Sequence, residues 1–208
     1  MVLSQKVAPL FEFTTDKPLL PRQKYVMSQS YPIIQLHDLQ FRPYLQAAEI
    51  QKRVQELGSE LKQQYAGQNP LFLGVLNGAF VFAADLIRAC DFECEVSFIK
   101  LSSYRGTRST GNVATLIGLE QSIEGRHLII VEDIVDSGKT MHSLLPDLKA
   151  MGIASAAICT LLVKPDAMQY DLNVQYVGFE IPSKFVVGYG LDYNQLGRNL
   201  PDIYQLVK

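Results

Sequence analysis

Hydrophobic positions follow two different periods along the chain, and the change of period predicts where helices and strands lie. Between Ala47 and Gly67 the apolar residues recur at helical spacing, which predicts an amphipathic helix. Helical spacing returns over residues 80–89 and 140–151. Short apolar runs predict buried strands at residues 71–76, 93–101, 128–131 and 156–163.

Strands and helices therefore alternate, which is typical of an α/β protein with a central, mainly parallel sheet flanked by helices. Such sheets bind ligands at the carboxyl ends of their strands, so we expect the chemistry in the loops after residues 76, 101, 131 and 163. Residues 1–30 contain three prolines and no steady period. We interpret them as an irregular arm, followed by a single domain of residues 31–208.

Composition narrows the class of protein. With 208 residues, 48% of them hydrophobic, the chain can bury a core without disulfides. Three cysteines, an odd number without a ligand pattern, predict reduced thiols in a reducing compartment. We find no secretory signal or membrane-spanning run, which predicts a soluble, cytoplasmic protein without a membrane partner. A net charge of -2 with scattered basic residues argues against binding nucleic acid.

An acidic cluster follows the predicted strand at residues 128–131. It consists of Glu132, Asp133 and Asp136. Burying such a cluster is costly unless the carboxylates have partners. Carboxylates accept hydrogen bonds from sugar hydroxyls and bind hydrated hard cations, so the cluster indicates a sugar site with a cation.

The next four residues, Ser137, Gly138, Lys139 and Thr140, open a predicted helix. Free backbone N–H groups, two hydroxyls and the positive end of the helix dipole meet there and favour a phosphate. A helix cap would explain Ser137 and Gly138, but it would leave the acids unexplained. An ATP-binding P-loop needs glycine where Asp133 stands, and that carboxylate would repel phosphates. The loop therefore predicts a bound sugar phosphate.

Four further segments combine polar, glycine and basic residues with the predicted strand ends. They are VLNGAF at 75–80, SSYRGTRSTGN at 102–112, LLVK at 161–164 and KFVVGYGLDY at 184–193. Residues 128–140, LIIVEDIVDSGKT, resemble the signature of the type I phosphoribosyltransferases. With the other segments, the chain resembles hypoxanthine-guanine phosphoribosyltransferases from about Ile33 to Arg198.

That resemblance implies a reaction in purine salvage. A purine base displaces pyrophosphate from phosphoribosyl pyrophosphate through an oxocarbenium-like transition state and gives a nucleoside monophosphate. The resemblance also implies the type I phosphoribosyltransferase fold, with residues 31–45 and 165–208 forming a small hood over the base. Mg²⁺ is the implied cofactor, and a homodimer or homotetramer is the implied assembly.

Roles in the signature loop follow from the same resemblance. Glu132 and Asp133 would hold the ribose hydroxyls, and residues 137–140 would bind the 5-phosphate. Asp136 would lie beside the imidazole nitrogen of the purine as a general acid/base. The metal ligands would be Glu132, Asp133 and Asp192.

Pyrophosphate would contact the loop of Leu76, Asn77 and Gly78, where the family often has a cis peptide, here between Leu76 and Asn77. Many relatives have a basic residue at the position of Asn77, so an amide would replace one charged contact. Arg198 would provide a cation for pyrophosphate. An ordinary Asn-Gly turn is the alternative interpretation of this loop.

The segment after residue 101 resembles a mobile flap in which Ser103 and Tyr104 close over the reactants and exclude water. A plain exposed connection is the alternative.

Base choice would depend on Lys164, whose ammonium can donate to the 6-oxo oxygen of hypoxanthine or guanine. Adenine has an amino donor there, so two donors would face each other. Phe185 would stack on the purine, and Val186 would bind its edge through the backbone. Asp192 would lie near the exocyclic group that distinguishes guanine from hypoxanthine.

Two other functions compete with this one. A regulator with the same fold that senses nucleotides and binds RNA would need a basic face. An enzyme of the same class acting on another base, xanthine or adenine, is the second alternative. The sequence does not rank hypoxanthine against guanine.

Overall fold

The computed structural model describes residues 32–102, 115–117, 119 and 121–207. Its α-helices are α1 (Ala47–Tyr65), α2 (Phe80–Ala89) and α3 (Lys139–Ala150). Its strands are β1 (Ile34–Leu36), β2 (Leu39–Leu45), β3 (Leu71–Leu76), β4 (Glu95–Ser102), β5 (Thr115–Ile117), β6 (His127–Val135), β7 (Ser155–Val163), β8 (Tyr176–Glu180), β9 (Val186–Val187) and β10 (Ile203–Leu206). No helix among these residues is long and apolar enough to span a membrane.

The larger sheet has the strand order β5-β4-β3-β6-β7-β8. Its neighbours are parallel except β5, which runs antiparallel to β4. This confirms the predicted α/β class with a mainly parallel sheet. The carboxyl ends of β3, β6 and β7 lie side by side, which brings the loops after them together.

Two hydrophobic cores cover the two faces of this sheet. Phe72 and Ile129 pack with the buried residues of α1 and α2, whereas Leu73 and Ile130 pack with those of α3. Alternate residues of a strand point to opposite faces, so a continuous apolar run serves both cores. α1 and α2 approach closely, because a β-carbon on Gly58 would overlap the backbone of Ala89.

Strand β6 corrects one sequence prediction. The strand was expected to end at residue 131, before the acids, but it continues through Glu132 and Asp133 to Val135. Its pairing with β3 stops at Val131, whereas its pairing with β7 continues to Val135. Backbone pairing on one edge thus keeps the acid pair in the strand, although the change from apolar to charged residues suggested a loop.

Helix α3 is also shorter at its end than the apolar pattern indicated. Met151, expected on its buried side, lies just past the helix and is 43% exposed. The chain leaves the helix there because Gly152 adopts a positive φ of 76° and its N–H bonds back to Lys149.

A smaller antiparallel sheet has the order β1-β2-β10-β9 and draws on both ends of the described chain, as expected of the hood. The hydrophobic pattern did not reveal its strands, which contain two to seven residues. A contact beside the smaller sheet helps to start α1, where the Ala47 N–H donates to Asp202 Oδ1 at 2.7 Å. The N–H groups in the first turn of a helix have no acceptor within the helix, and Asp202 provides one for Ala47.

Candidate functional site

The loop between β6 and α3 forms a small pocket at a helix N-terminus. The pocket measures about 80 Å³ and is lined by Glu132 and residues 134–141. Gly138, which caps α3, has a positive φ of 79°, and no side chain caps the helix. Its first-turn N–H groups therefore point to a site where an anion is favoured.

The residues expected to bind phosphate all line this pocket. Ser137 is half-buried, and its Oγ lies 3.4 Å from the backbone nitrogen of Lys139. The side chains of Lys139 and Thr140 are exposed. The arrangement can surround an anion with N–H groups, hydroxyls and one ammonium.

The acid pair lies at the end of β6 that extends past β3. Glu132 is only 8% exposed, and its Oε2 atom has no hydrogen-bond partner among the described residues. Burial, and then the charge of Asp133, raise the pKa of Glu132 well above its ordinary value. Burial also raises the pKa of Asp133 to about 6, although its Oδ1 accepts a 2.9 Å hydrogen bond from the Ile134 N–H. A buried carboxylate oxygen without a partner is suited to a hydroxyl or a cation.

The loop after β3 lies against the second acid. The peptide bond between Leu76 and Asn77 is cis, as the resemblance implied, and Asn77 is exposed. A β-carbon on Gly78 would overlap the carboxylate of Asp133. A β-carbon on Gly190 would overlap the carbonyl oxygen of Gly78. Two glycines therefore let three segments meet at one point.

Two charged residues from the C-terminal part of the chain form an ion pair near this junction. The Nη2 atom of Arg198 lies 2.5 Å from Oδ1 of Asp192. Arg198 also donates from Nη1 to the carbonyl oxygen of Gly190 at 2.7 Å. The charges of Arg198 and Asp192 also shift the pKa of Asp133, although less than burial and the backbone hydrogen bonds do. Arg198 lowers this pKa and Asp192 raises it. The structure thus brings these three predicted residues into one electrostatic group.

At the other end of the pocket, Lys164 and Asp136 form an ion pair. Lys164 Nζ donates to Asp136 Oδ2 at 2.6 Å. The side chain of Lys164 is 9% exposed, whereas that of Asp136 is 53% exposed. One partner is therefore fixed in the protein, and the other faces the opening.

The predicted stacking residue lies in an aromatic cluster. Phe185 is 42% exposed, and its ring centroid lies 6.2 Å from that of Phe41 and 5.9 Å from that of Tyr193. Val186, the next residue, is buried and pairs with Gln205 of β10. The exposed ring of Phe185 can stack on a flat ligand. Because the side chain of Val186 is buried, only the backbone of Val186 can contact that ligand.

Comparison with known proteins decides the family. The chain matches the family described as phosphoribosyl transferase domain over residues 43–194. It is 44% identical over 156 residues to a hypoxanthine-guanine-xanthine phosphoribosyltransferase of Tritrichomonas foetus, a match covering 74% of this chain and 85% of that protein. It is 45% identical over 168 residues to a hypoxanthine-guanine phosphoribosyltransferase of Bacillus subtilis, covering 80% and 93%. The chain belongs to the hypoxanthine-guanine phosphoribosyltransferase family.

Solved structures agree with this membership. A crystal structure of a hypoxanthine phosphoribosyltransferase from Staphylococcus aureus superposes with a TM-score of 0.73 at 38% identity. The match covers 80% of this chain and 91% of that one. The phosphoribosyltransferase fold expected from the sequence is therefore confirmed.

One predicted element of this phosphoribosyltransferase, the flap with Ser103 and Tyr104, lies outside the described residues, as does the N-terminal arm of residues 1–30. One pair of residues close to the site was not predicted from the sequence. The hydroxyl of Tyr189 donates to Asp85 Oδ2 at 2.6 Å. The sequence signal that could have revealed this pair is Asp85, an acidic residue within the apolar helical pattern of α2.

Proposed function

We propose that this protein transfers the phosphoribosyl group of phosphoribosyl pyrophosphate to a 6-oxopurine, hypoxanthine or guanine, and forms IMP or GMP with release of pyrophosphate. The observation that supports this most strongly is the pair of Lys164 and Asp136, 2.6 Å apart beside the phosphate pocket. It combines a base-selecting group and a proton-transferring group at one end of a sugar-phosphate site.

The chemistry of this pair matches one edge of a 6-oxopurine. The base presents an acceptor, its 6-oxo oxygen, next to the imidazole nitrogen that can carry a proton. Lys164 donates to the oxygen, while Asp136 accepts from the nitrogen. Each member of the ion pair therefore exchanges the other for a partner on the base. Adenine presents a donor to the buried ammonium of Lys164, which is then left without an acceptor.

Asp136 serves as the general acid/base in this proposal. The imidazole nitrogen of the purine gains or loses a proton as the bond to the anomeric carbon breaks or forms. A carboxylate that is half exposed and adjacent to a lysine can hold that proton during transfer. Positive charge develops on the ribose ring, and the carboxylates of Glu132 and Asp133 favour it electrostatically in their ionised form, which a bound cation and the ribose hydroxyls stabilise.

Binding of the sugar phosphate follows from the pocket. The α3 N-terminus and residues 137–140 bind the 5-phosphate, while Glu132 and Asp133 accept hydrogen bonds from the ribose hydroxyls. Asn77, Gly78 and Arg198 lie on the side of Asp133 where the pyrophosphate leaves.

The acids also fit a magnesium ion that is shared with the substrate. The unpartnered Oε2 atom of Glu132 and the carboxylate of Asp133 are hard oxygen ligands, with Asp192 nearby. Among the described residues, no three or more His, Cys, Asp or Glu side chains are grouped so that they could hold a metal ion, so substrate oxygens would provide much of the coordination. When bound, magnesium supplies positive charge that stabilises the leaving pyrophosphate.

We further propose a cytoplasmic homodimer or homotetramer. The three cysteines are all free thiols, which agrees with a reducing compartment. Phe80 and Val96 are large apolar side chains with 43% and 41% exposure, and an interface between copies would cover them. Light scattering measures the assembly directly.

The decisive experiment measures pyrophosphate released from phosphoribosyl pyrophosphate and magnesium with hypoxanthine, guanine, xanthine or adenine. We expect turnover with hypoxanthine and guanine but not with adenine. The relative from Tritrichomonas foetus is named for xanthine as well, so xanthine tests whether this chain shares that range. If none of the four bases led to release of pyrophosphate, the proposed function would be contradicted.

A further inference from the structure

Tyr189 occupies a backbone position that tyrosine rarely adopts. The Gly188 N–H bonds to Leu191 O and the Leu191 N–H to Gly188 O, so Tyr189 and Gly190 form the tip of a two-residue turn. Their φ angles are 49° and 100°. Asn and Gly are favoured at such positions, and a bulky residue with positive φ is an outlier that persists only where its surroundings fix it.

The side chain of Tyr189 provides the fixing contact. Its ring is buried, with 4% exposure, and its hydroxyl donates to Asp85 Oδ2 on α2. Gln51 Nε2 of α1 donates to the same oxygen at 2.6 Å, while Arg88 pairs with the other oxygen of Asp85. Burial opposes ionisation of Asp85, but the hydrogen bonds from Tyr189, Gln51 and Arg88 outweigh it and lower its pKa. The turn is therefore attached to a carboxylate that two helices hold in place.

This attachment is directly connected to the pyrophosphate side of the site. Gly190 lies against the carbonyl oxygen of Gly78, and its own N–H and carbonyl groups both bond to Arg198, at 3.0 and 2.7 Å. Arg198 in turn pairs with Asp192. α2, which carries Asp85, begins two residues after Gly78. The hydrogen bond thus attaches the turn to the same helix into which the loop leads.

The groups predicted to contact the base depend on different contacts, except Asp192, which was expected near the exocyclic position that hypoxanthine leaves unsubstituted. Lys164 is held by Asp136, and Phe185 by its aromatic neighbours. Val186 and Val187 pair with β10 before the turn begins. A change at the tip of the turn therefore affects the pyrophosphate side first.

We propose that the hydrogen bond from Tyr189 to Asp85 is a positioning contact that sets Arg198 and Asp192 for phosphoribosyl pyrophosphate, without contacting substrate itself. The inference rests on the proposed function, because it uses the pyrophosphate role of Arg198. It adds two residues, Tyr189 and Asp85, that act through others.

The test compares Tyr189→Phe with the parent protein in the pyrophosphate-release assay, varying each substrate separately. We expect KM for phosphoribosyl pyrophosphate to rise about tenfold, the ratio that ~1.4 kcal/mol produces, while KM for hypoxanthine stays unchanged. Tyr65→Phe is the matched control, because Tyr65 is also buried (7% exposed) and bonds to Tyr176. That control should leave both constants unchanged.

Asp85→Asn provides a second variant, since its amide oxygen can still accept from Tyr189. We expect a smaller rise in the same KM, and this variant decides the matter if Tyr189→Phe does not fold. An unchanged KM for phosphoribosyl pyrophosphate, or an equal rise in both KM values, would overturn the inference while the parent remains active. An inactive parent would instead remove the proposed function, and the inference with it.

Discussion

At the scale of single residues, Asp136 makes the clearest prediction. Asp136→Asn keeps the size of the side chain but cannot take up the proton of the base. We expect turnover to fall about a hundredfold or more, the usual contribution of a general acid/base. Steady-state pyrophosphate release measures turnover, and calorimetry with phosphoribosyl pyrophosphate should show that sugar-phosphate binding is retained. Undiminished turnover would remove Asp136 from the mechanism.

In the proposed function, Lys164 governs base choice rather than chemistry. Lys164→Ala should weaken binding of hypoxanthine by about 2–3 kcal/mol, the scale of a hydrogen bond to a charged group. It should also reduce the discrimination against adenine, which the ratio of kcat/KM for the two bases measures. Lys149→Ala, at an exposed lysine near the end of α3, is the control. Intact discrimination in the Lys164 variant would contradict the role of its ammonium.

At the scale of elements, the contact between Gly190 and Gly78 joins the C-terminal turn to the loop after β3. Gly190→Ala adds strain at a φ of 100° and an overlap with the carbonyl oxygen of Gly78. We expect a loss of ~2–4 kcal/mol in the free energy of unfolding, from backbone strain and overpacking together. Urea denaturation measures this loss.

Gly67→Ala separates the two causes. Gly67 has a φ of 82°, but no atom lies within 4 Å of where its β-carbon would be, so only strain is added. The expected loss is ~1 kcal/mol. Equal losses in the two variants would show that the contact with Gly78 contributes nothing to stability.

The central elements of the large sheet were predictable because their signals are local, whereas its outer strands β5 and β8 were not located. Apolar runs and helical spacing located β3, β4, β6, β7 and all three described helices. The end of β6 was wrong, since pairing with β7 carries the strand through Glu132 and Asp133. The short strands of the small sheet were missed because their pairing joins distant segments, such as residues 39–45 and 203–206.

At the scale of the whole molecule, the buried acids link stability to pH. Burial raises the pKa of Glu132 and Asp133 in the folded state, whereas unfolded carboxyls titrate near ~4. The folded protein therefore keeps protons that the unfolded chain has lost, so the free energy of unfolding contributed by these groups falls as pH rises from ~4 through about 6. This holds for the protein without metal or substrate.

Asp133→Asn should remove much of that decline. At pH ~8, with a chelator present, we expect the variant to be more stable than the parent by ~1–3 kcal/mol, and near pH ~4 the two should agree. Urea denaturation at both values measures the difference, and Asp171→Asn, at an exposed acid, is the control. A variant that is less stable than the parent at the higher pH would contradict the raised pKa.

The site itself was predictable as far as it is contiguous in sequence. Residues 132–140 lie together in one strand, loop and helix, so their pattern already indicated a sugar-phosphate pocket. The pairing of Arg198 with Asp192, and of Tyr189 with Asp85, depends on how distant segments pack. No local pattern carries that information, because such contacts are set by the tertiary arrangement.

The exposed Asn77 and the glycine after it also bear on how long a preparation stays active in storage. In an asparagine-glycine sequence the glycine nitrogen attacks the side-chain amide carbon and releases ammonia, which leaves a five-membered cyclic imide. Water then opens this ring to give an acid. The fold would remain intact, since Asn77 is exposed. If this loop binds pyrophosphate as proposed, the new negative charge would face an anionic substrate. Ageing of the purified enzyme is therefore expected to show as weaker substrate affinity before it shows as unfolding.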